Sequence, residues 1–321
     1  MQIQEAIHAF NEFLDSYKKD QLGGRLLKPV DYILSLGGKR LRPAIVVWIN
    51  QLYGGELKDA LNGALAIEMF HNFSLVHDDI MDEAPLRRGK ETVHSKWGNN
   101  TAILSGDAML VLVYKILSQL DESTLKPALD LFNNSALNVC EGQQLDMDFE
   151  ELESIKMEEY LKMIGLKTGD LLGASFSLGA LLAGASLTDI DHLYAFGKKT
   201  GIAFQLQDDI LDLYGDQKKV GKQKGGDILA NKKTCLWIRA FEKADKKQKI
   251  EFNKMQTEVV STKKVEMAIS LFDHLDVRAE AEAIKSVFQK EAFEHLEKIN
   301  LNDSSKASIK AFAEDLLSRE F

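Results

Sequence analysis

Two acidic tetrads of identical spacing mark the chain: Asp78-Asp79-Ile80-Met81-Asp82 and Asp208-Asp209-Ile210-Leu211-Asp212. On a helix, residues four apart project from one face, one above the other. Asp78 then stands beside Asp82, and Asp208 beside Asp212. Two carboxylates about 6 Å apart repel by roughly 3 kcal/mol at an effective dielectric near 20. A helix gains nothing from that pairing unless a positive charge sits against it. A single such cluster could be a solvated acidic face. Here apolar residues precede both tetrads, Phe73, Leu75 and Val76 in one case and Ile202, Ala203 and Phe204 in the other. The carboxylates are therefore expected to point inward, where a charge needs a counter-ion. Hard oxygen ligands without nearby cysteine suit magnesium, which keeps several waters and commonly shares its shell with phosphate oxygens.

The cationic residues complement this reading. Gly37-Gly38-Lys39-Arg40-Leu41-Arg42-Pro43 packs positive charge into a turn before a helix, and Arg87-Arg88-Gly89 follows the first tetrad after Pro85. Lys167 and Thr168 fall in a middle helix, and Lys222 and Lys232 follow the second tetrad. Guanidinium forks suit phosphate oxygens, and lysines supply point charges. Each alone could be an ordinary surface group, but their placement beside the tetrads points to phosphate binding. His71 lies seven residues before Asp78, two helical turns away on the same face. It is either a core histidine or a ligand group.

The elements that must position these groups are helical. Apolar residues recur at three- and four-residue spacing over Ala60–Asp82, Ala102–Leu120, Leu125–Gln144, Met157–Gly184, Ile190–Tyr214, Lys233–Lys243, Val265–Phe272 and Glu280–Leu296. Alternating strand-like runs are nearly absent. The four prolines, Pro29, Pro43, Pro85 and Pro127, are read as helix boundaries. The stretch Gly215–Lys233 reads as a mobile loop, and the polar run Glu141–Asp146 as a helix end. No linker or repeat divides residues 1–321, so one all-α domain is expected, a bundle of antiparallel helices around a central cavity. The charge of −9 argues against a nucleic-acid partner. Two isolated cysteines and the lack of a signal-peptide pattern at the N-terminus lead us to expect a cytoplasmic protein. The uncharged run Leu171–Thr188 is long enough to raise the question of a membrane span, but its glycines and alanines fit a buried helix better.

Taken in order, GGKRLRP at 37–43, HDDIMDEAPLRRG at 77–89, GQQLD at 142–146, KTG at 167–169, FQLQDDILD at 204–212 and GKQKGGDI with NKKT at 221–234 resemble the trans-isoprenyl diphosphate synthases, the polyprenyl synthetase family. The resemblance implies an all-helical homodimer in which an allylic diphosphate ionises and isopentenyl diphosphate attacks the carbocation. It implies magnesium as cofactor, three ions with diphosphate bound. Asp78, Asp82 and Asp208 look like the metal ligands, with Asp79, Asp209 and Asp212 close by; Asp212 is included among the candidate ligands. Arg87, Lys167, Thr168, Gln205, Lys222 and Lys232 look like the allylic diphosphate site, and Lys39, Arg42, His71 and Arg88 like the isopentenyl diphosphate site.

Two features depart from the family pattern. Cys235-Leu236 follows Thr234 where Leu-Pro is usual, and the first tetrad lacks the two-residue insertion of bacterial farnesyl-type enzymes. The family sets product length at the fourth and fifth residues before the tetrad, here Ser74 and Phe73. This pattern resembles the geranylgeranyl (C20) type, with farnesyl diphosphate (C15) as the alternative. A terpene cyclase is the more distant enzymatic reading, although cyclases usually carry an Asn/Ser/Glu motif in place of the second tetrad. A non-catalytic partner subunit would be expected to have lost site residues, and none is missing.

Overall fold

The computed structural model describes residues 1–215 and 224–318. The fold is all-α, and its elements are these: α1 (Ile3–Gln21), α2 (Gly24–Ser35), α3 (Leu41–Leu52), α4 (Leu57–Met81), α5 (Val93–Trp97), α6 (Asn99–Leu117), α7 (Glu122–Glu151), α8 (Met157–Ile164), α9 (Asp170–Leu182), α10 (Leu187–Tyr214), α11 (Gly226–Leu229), α12 (Cys235–Lys243), α13 (Lys246–Thr257), α14 (Ser261–His274), α15 (Val277–Glu297) and α16 (Asp303–Ser318). A π-helical turn, Gly165–Gly169, joins α8 to α9 without a break. Between α4 and α5, β1 (Leu86–Arg87) pairs antiparallel with β2 (Lys90–Glu91). Arg88 and Gly89 both take positive φ, 53° and 72°, as a two-residue hairpin turn of this kind requires.

The chain separates into two compact units, each with its own core. The first comprises Met1–Leu137, Leu171–Tyr194 and Ile299–Leu301. Phe10, Ile33, Ile45, Trp48, Ile49, Phe70 and Phe176 are fully buried there, and such side chains contribute about 1.5–3 kcal/mol each. The small residues of α9 have a packing purpose. A Cβ on Gly179 would lie 2.5 Å from the Val46 carbonyl oxygen, and one on Gly63 would lie 2.5 Å from Leu182. Glycine lets these helices approach closely, and Leu171–Leu182 is a core helix of this unit.

The second unit comprises Asn138–Asp170, Ala195–Lys298 and Asn302–Phe321. Its core is aromatic: Trp237 stacks on Phe241 at 4.9 Å between ring centroids, and Phe252 meets both rings edge-on at 5.6 Å.

Three sequence readings are corrected. Pro29 and Pro127 lie inside α2 and α7 rather than at their boundaries. Both fall in the second turn, where a proline forfeits only one early helical hydrogen bond. The run Glu141–Asp146 is interior to α7, which continues to Glu151. Part of the stretch read as a loop is regular, because α11 forms at Gly226–Leu229. Residues 216–223 of that stretch, Lys222 among them, lie outside the described residues.

Candidate active site

In the first unit the tetrad sits where a helix least favours it. Asp78 and Asp79 occupy the last turn of α4 and Asp82 is its C-cap, with no basic residue in that turn. The C-terminal end of a helix carries partial negative charge, so carboxylates there are repelled by the backbone as well as by each other. The structure supplies a cation from the hairpin. Arg87 Nε donates to both carboxylate oxygens of Asp79 at 2.9 Å, and a terminal nitrogen of Arg87 lies 2.7 Å from Asp79 and 3.8 Å from Asp78. Burial raises the Asp79 pKa and the bond from Arg87 opposes that rise. Asp79 is buried and thus aims Arg87, while Asp78 and Asp82 remain four residues apart at the helix end.

Close to this tetrad in the same unit lies a cluster of guanidiniums. Arg88 donates to the Gly37 carbonyl, and its guanidinium would lie 2.7 Å from any Cβ on Gly38, whose φ is 127°. The Gly37-Gly38 pair therefore makes room for Arg88 as well as forming the turn. Arg40, in a left-handed conformation with φ 50° before α3, is buried and bonds Glu68 and the Leu34 carbonyl. Asn72 donates to Glu68 at 2.9 Å. Burial first, then Arg42, Arg88, Arg87 and Arg40, hold the His71 pKa well below the usual value, so the imidazole is neutral. Arg42 Nε is buried without a hydrogen-bond partner among the described residues, a donor suited to an anion. Lys39 is exposed. Phe73 packs against Phe70 at 5.5 Å and against His77 at 4.7 Å, and Ser74 Oγ donates to the His71 carbonyl at 2.8 Å.

In the second unit the other tetrad repeats the pattern. Asp208, Asp209 and Asp212 lie near the C-terminus of α10, again with no basic residue in the last turn. Asp209 is the buried middle residue. It accepts hydrogen bonds from the Tyr160 hydroxyl, from Gln205 at 3.2 Å and from the Cys235 N–H at 3.2 Å. Burial, then Asp227, pushes its pKa up to about 7, against the pull of those donors. Asp212 accepts the N–H groups of Gly226 and Asp227, each at 3.1 Å and on different oxygens. A carboxylate offers about four lone-pair sites, so neither of these bonds by itself closes its oxygen to a hard cation.

Lys167 and Thr168 project from the π-turn, a type of irregularity often found at functional sites. Lys167 pairs with Asp146 at 2.6 Å and Thr168 donates to Gln205 at 3.2 Å. The turn is seated by glycines: a Cβ on Gly142 would strike the Lys167 backbone, and one on Gly201 would lie 2.7 Å from Gly169. Among the described residues, no three His, Cys, Asp or Glu side chains converge as a ready metal cluster.

The structure thus gathers Asp78, Asp79, Arg87, Arg88, Arg42 and His71 in the first unit, and Lys167, Thr168, Gln205, Asp209 and Asp212 in the second. Arg40 is named in the sequence only as one charge of the Gly37–Pro43 turn, and Glu68, Asn72 and Tyr160 are not singled out there. Of the last three, Glu68 leaves a signal there, an acid within the apolar run Leu65–Phe70.

Helices that end on carboxylates, with guanidiniums beside the first of them, suit an enzyme of anionic phosphate esters. Residues 24–272 match the polyprenyl synthetase family model, and the chain belongs to that family of prenyltransferases. It is 33% identical to a short chain isoprenyl diphosphate synthase of Methanothermobacter thermautotrophicus, over 100% of this chain and 99% of the relative. A geranylgeranyl diphosphate synthase of Sulfolobus acidocaldarius is 42% identical over 76% of each chain. The crystal structure of a geranylgeranyl pyrophosphate synthase superposes with a TM-score of 0.94 at 38% identity, covering 100% of both chains.

Proposed function

We propose that this chain is a magnesium-dependent short-chain prenyltransferase that joins an allylic diphosphate to isopentenyl diphosphate and releases geranylgeranyl diphosphate. The observation that carries this reading is the placement of both tetrads at helix C-termini, where the partial negative charge of the helix end disfavours carboxylates and a bound cation would offset it. Asp78, Asp82, Asp208 and Asp212 are the residues that would hold magnesium. When bound, the metal supplies charge neutralisation for a departing diphosphate. The chain's own residues do the rest. Arg87, aimed by Asp79, together with Lys167, Thr168, Gln205, Lys222 and Lys232, holds the allylic diphosphate. Lys39, Arg42, Arg88 and neutral His71 hold isopentenyl diphosphate; Arg42 supports this with its buried, unpartnered N–H. Phe73, wedged between Phe70 and His77, closes the space for the growing chain.

The enzyme acts in the cytoplasm as a homodimer with residues 1–321 as one catalytic domain. The exposed apolar face of α6 supports the dimer: Ile103, Leu104, Val111 and Tyr114 lie on it, and Val111 is 68% exposed. That helix is also long and apolar enough to cross a membrane by length and composition, so pairing with a second copy accounts for its surface. Light scattering on Val111→Glu checks this, with loss of the dimer expected.

The main experiment supplies labelled isopentenyl diphosphate with C5, C10 or C15 primers, with magnesium or with chelator. Magnesium-dependent C20 product from the C15 primer is expected. Product that stops at C15 would refute the role of Phe73 and leave the reaction class intact. No elongation by folded protein would sink the proposal.

A further inference from the structure

We propose that Lys264 is a positioning residue for diphosphate binding: from the first turn of α14 it holds the turn at Asn231 and so aims Lys232. This rests on the reading of Lys232 as a ligand of the allylic diphosphate.

The segment Gly225–Lys232 is pinned at both ends. At its start the Gly225 N–H donates to the Asp212 carbonyl at 2.8 Å, and the Asp212 carboxylate takes the next two N–H groups. Gly225 has φ 72°, and a Cβ there would lie 2.6 Å from Val265 Cγ2. Val265 thus packs into space that any other residue at 225 would fill. Ile228 anchors the middle in the core. At the far end Asn231 turns the chain with φ 56°, a conformation asparagine tolerates better than most residues.

Lys264 secures that turn. Its ammonium donates to Asn231 Oδ1 at 2.8 Å, with the Leu229 and Gln256 carbonyls at 3.4 and 3.5 Å. The side chain is 5% exposed, and all three acceptors are neutral oxygens. Burying an ammonium opposite neutral acceptors is costly, and burial lowers its pKa accordingly. An apolar residue would serve packing better, so the bond to Asn231 is what the lysine adds. The Lys232 N–H donates to the Asp227 carbonyl at 2.9 Å. Adjacent residues of α14, Lys264 and Val265, therefore seat opposite ends of one short segment, and Lys232 leaves it from a defined point.

The test is steady-state kinetics on Lys264→Met, Asn231→Gly and Asn231→Asp, each alone and with Lys232→Ala, after thermal melts confirm folding. Lys264→Met removes the donor with an apolar side chain of similar length. Asn231→Gly keeps the backbone conformation accessible and removes the acceptor at an exposed site. Misplacing a ligand group by about 1 Å can cost up to ~100-fold, so we expect these two variants to raise the KM for allylic diphosphate about tenfold. The KM for isopentenyl diphosphate should not move, and Asn231→Asp, which restores an acceptor, should behave as wild type. In the Lys232→Ala background the Lys264→Met effect should vanish, since residues acting as a unit are non-additive. An unchanged allylic KM, an equal rise for both substrates, or the full effect in the Lys232→Ala background overturns the proposal. If Lys232→Ala alone leaves the allylic KM unchanged, the assignment of Lys232 has failed, and the positioning role falls with it.

Discussion

Removing Glu68 strands a buried guanidinium, and the size of the effect follows from the surroundings of the pair. Glu68 is 2% exposed and Arg40 8%. Arg40 has two acceptors, Glu68 and the Leu34 carbonyl. In Glu68→Ala only the carbonyl remains, while Asn72 keeps its 2.8 Å bond to the backbone oxygen of residue 68. The loss is therefore that of one desolvated ion pair, about 3–5 kcal/mol. With about 2–4 °C per kcal/mol for domains of ~150–250 residues, a fall in Tm of order 10 °C is expected. The assay is thermal unfolding by circular dichroism near neutral pH, run on Glu68→Ala, Arg40→Met and the pair Arg40→Met/Glu68→Met. Because the penalty comes from an uncompensated charge, the double variant should be more stable than either single one. A Glu68→Ala loss below about 1 kcal/mol, typical of exposed pairs, would refute the reasoning. So would a double variant that loses the sum of the single effects.

Three other outcomes are expected. The folded chain holds His71 well below the usual 6.5, so the unfolded chain binds a proton that the folded one refuses. The His71 contribution to stability should fall as pH drops below 6.5, by up to about 1.4 kcal/mol per pH unit and against the opposite trend of Asp209; urea unfolding across that range should show the wild type losing stability relative to His71→Gln, and an unchanged difference would mean His71 is not buried among the arginines. Gly106→Ala places a methyl against the His77 ring and should cost about 1–3 kcal/mol by overpacking, with recovery in Gly106→Ala/His77→Ala; additive losses would contradict the contact. Tyr160→Phe removes a donor to a buried carboxylate and should cost about 1.5–3 kcal/mol at pH values where Asp209 is ionised. The loss should shrink as the pH falls below about 7, the value to which burial raises Asp209, and a loss independent of pH would argue against that bond.

The apolar spacing around both tetrads made their helices legible, because a 3.6-residue period survives in the sequence whatever the helix packs against. Their position near helix C-termini was legible too, since the apolar period stops at Asp82 and Tyr214, within a residue of where the helices end. Helical spacing sets the middle aspartates, Asp79 and Asp209, off the face shared by their neighbours, but it does not say what they meet. The structure supplies those partners: Arg87 for Asp79, and Tyr160 and the Cys235 N–H for Asp209. Such partners lie up to 49 residues away, beyond any local pattern. The hairpin that carries Arg87 and Arg88 has strands of two residues, too short to show alternation. Helix α13 leaves little apolar stripe to read, since polar residues dominate it, whereas α16 does carry one in Ile309, Phe312, Ala313, Leu316 and Leu317.

The π-turn at Gly165–Gly169 constrains how this stretch can change in length. Each helical residue advances the phase by about 100°, and a π-turn holds one residue more than an α-helical turn. A helical wheel drawn straight through Met157–Leu182 therefore misassigns the inner face of α9 by about that angle. Deleting one residue here would let the rod become regular, and it would swing either Lys167 or the buried run from Leu171 to Phe176 off its face. Single substitutions leave this phase untouched. The residue count of the segment is thus fixed along with Gly169, where a Cβ would lie 2.7 Å from the Lys198 carbonyl oxygen, whereas the short connections at 244–245 and 258–260 carry no such phase and can absorb insertions.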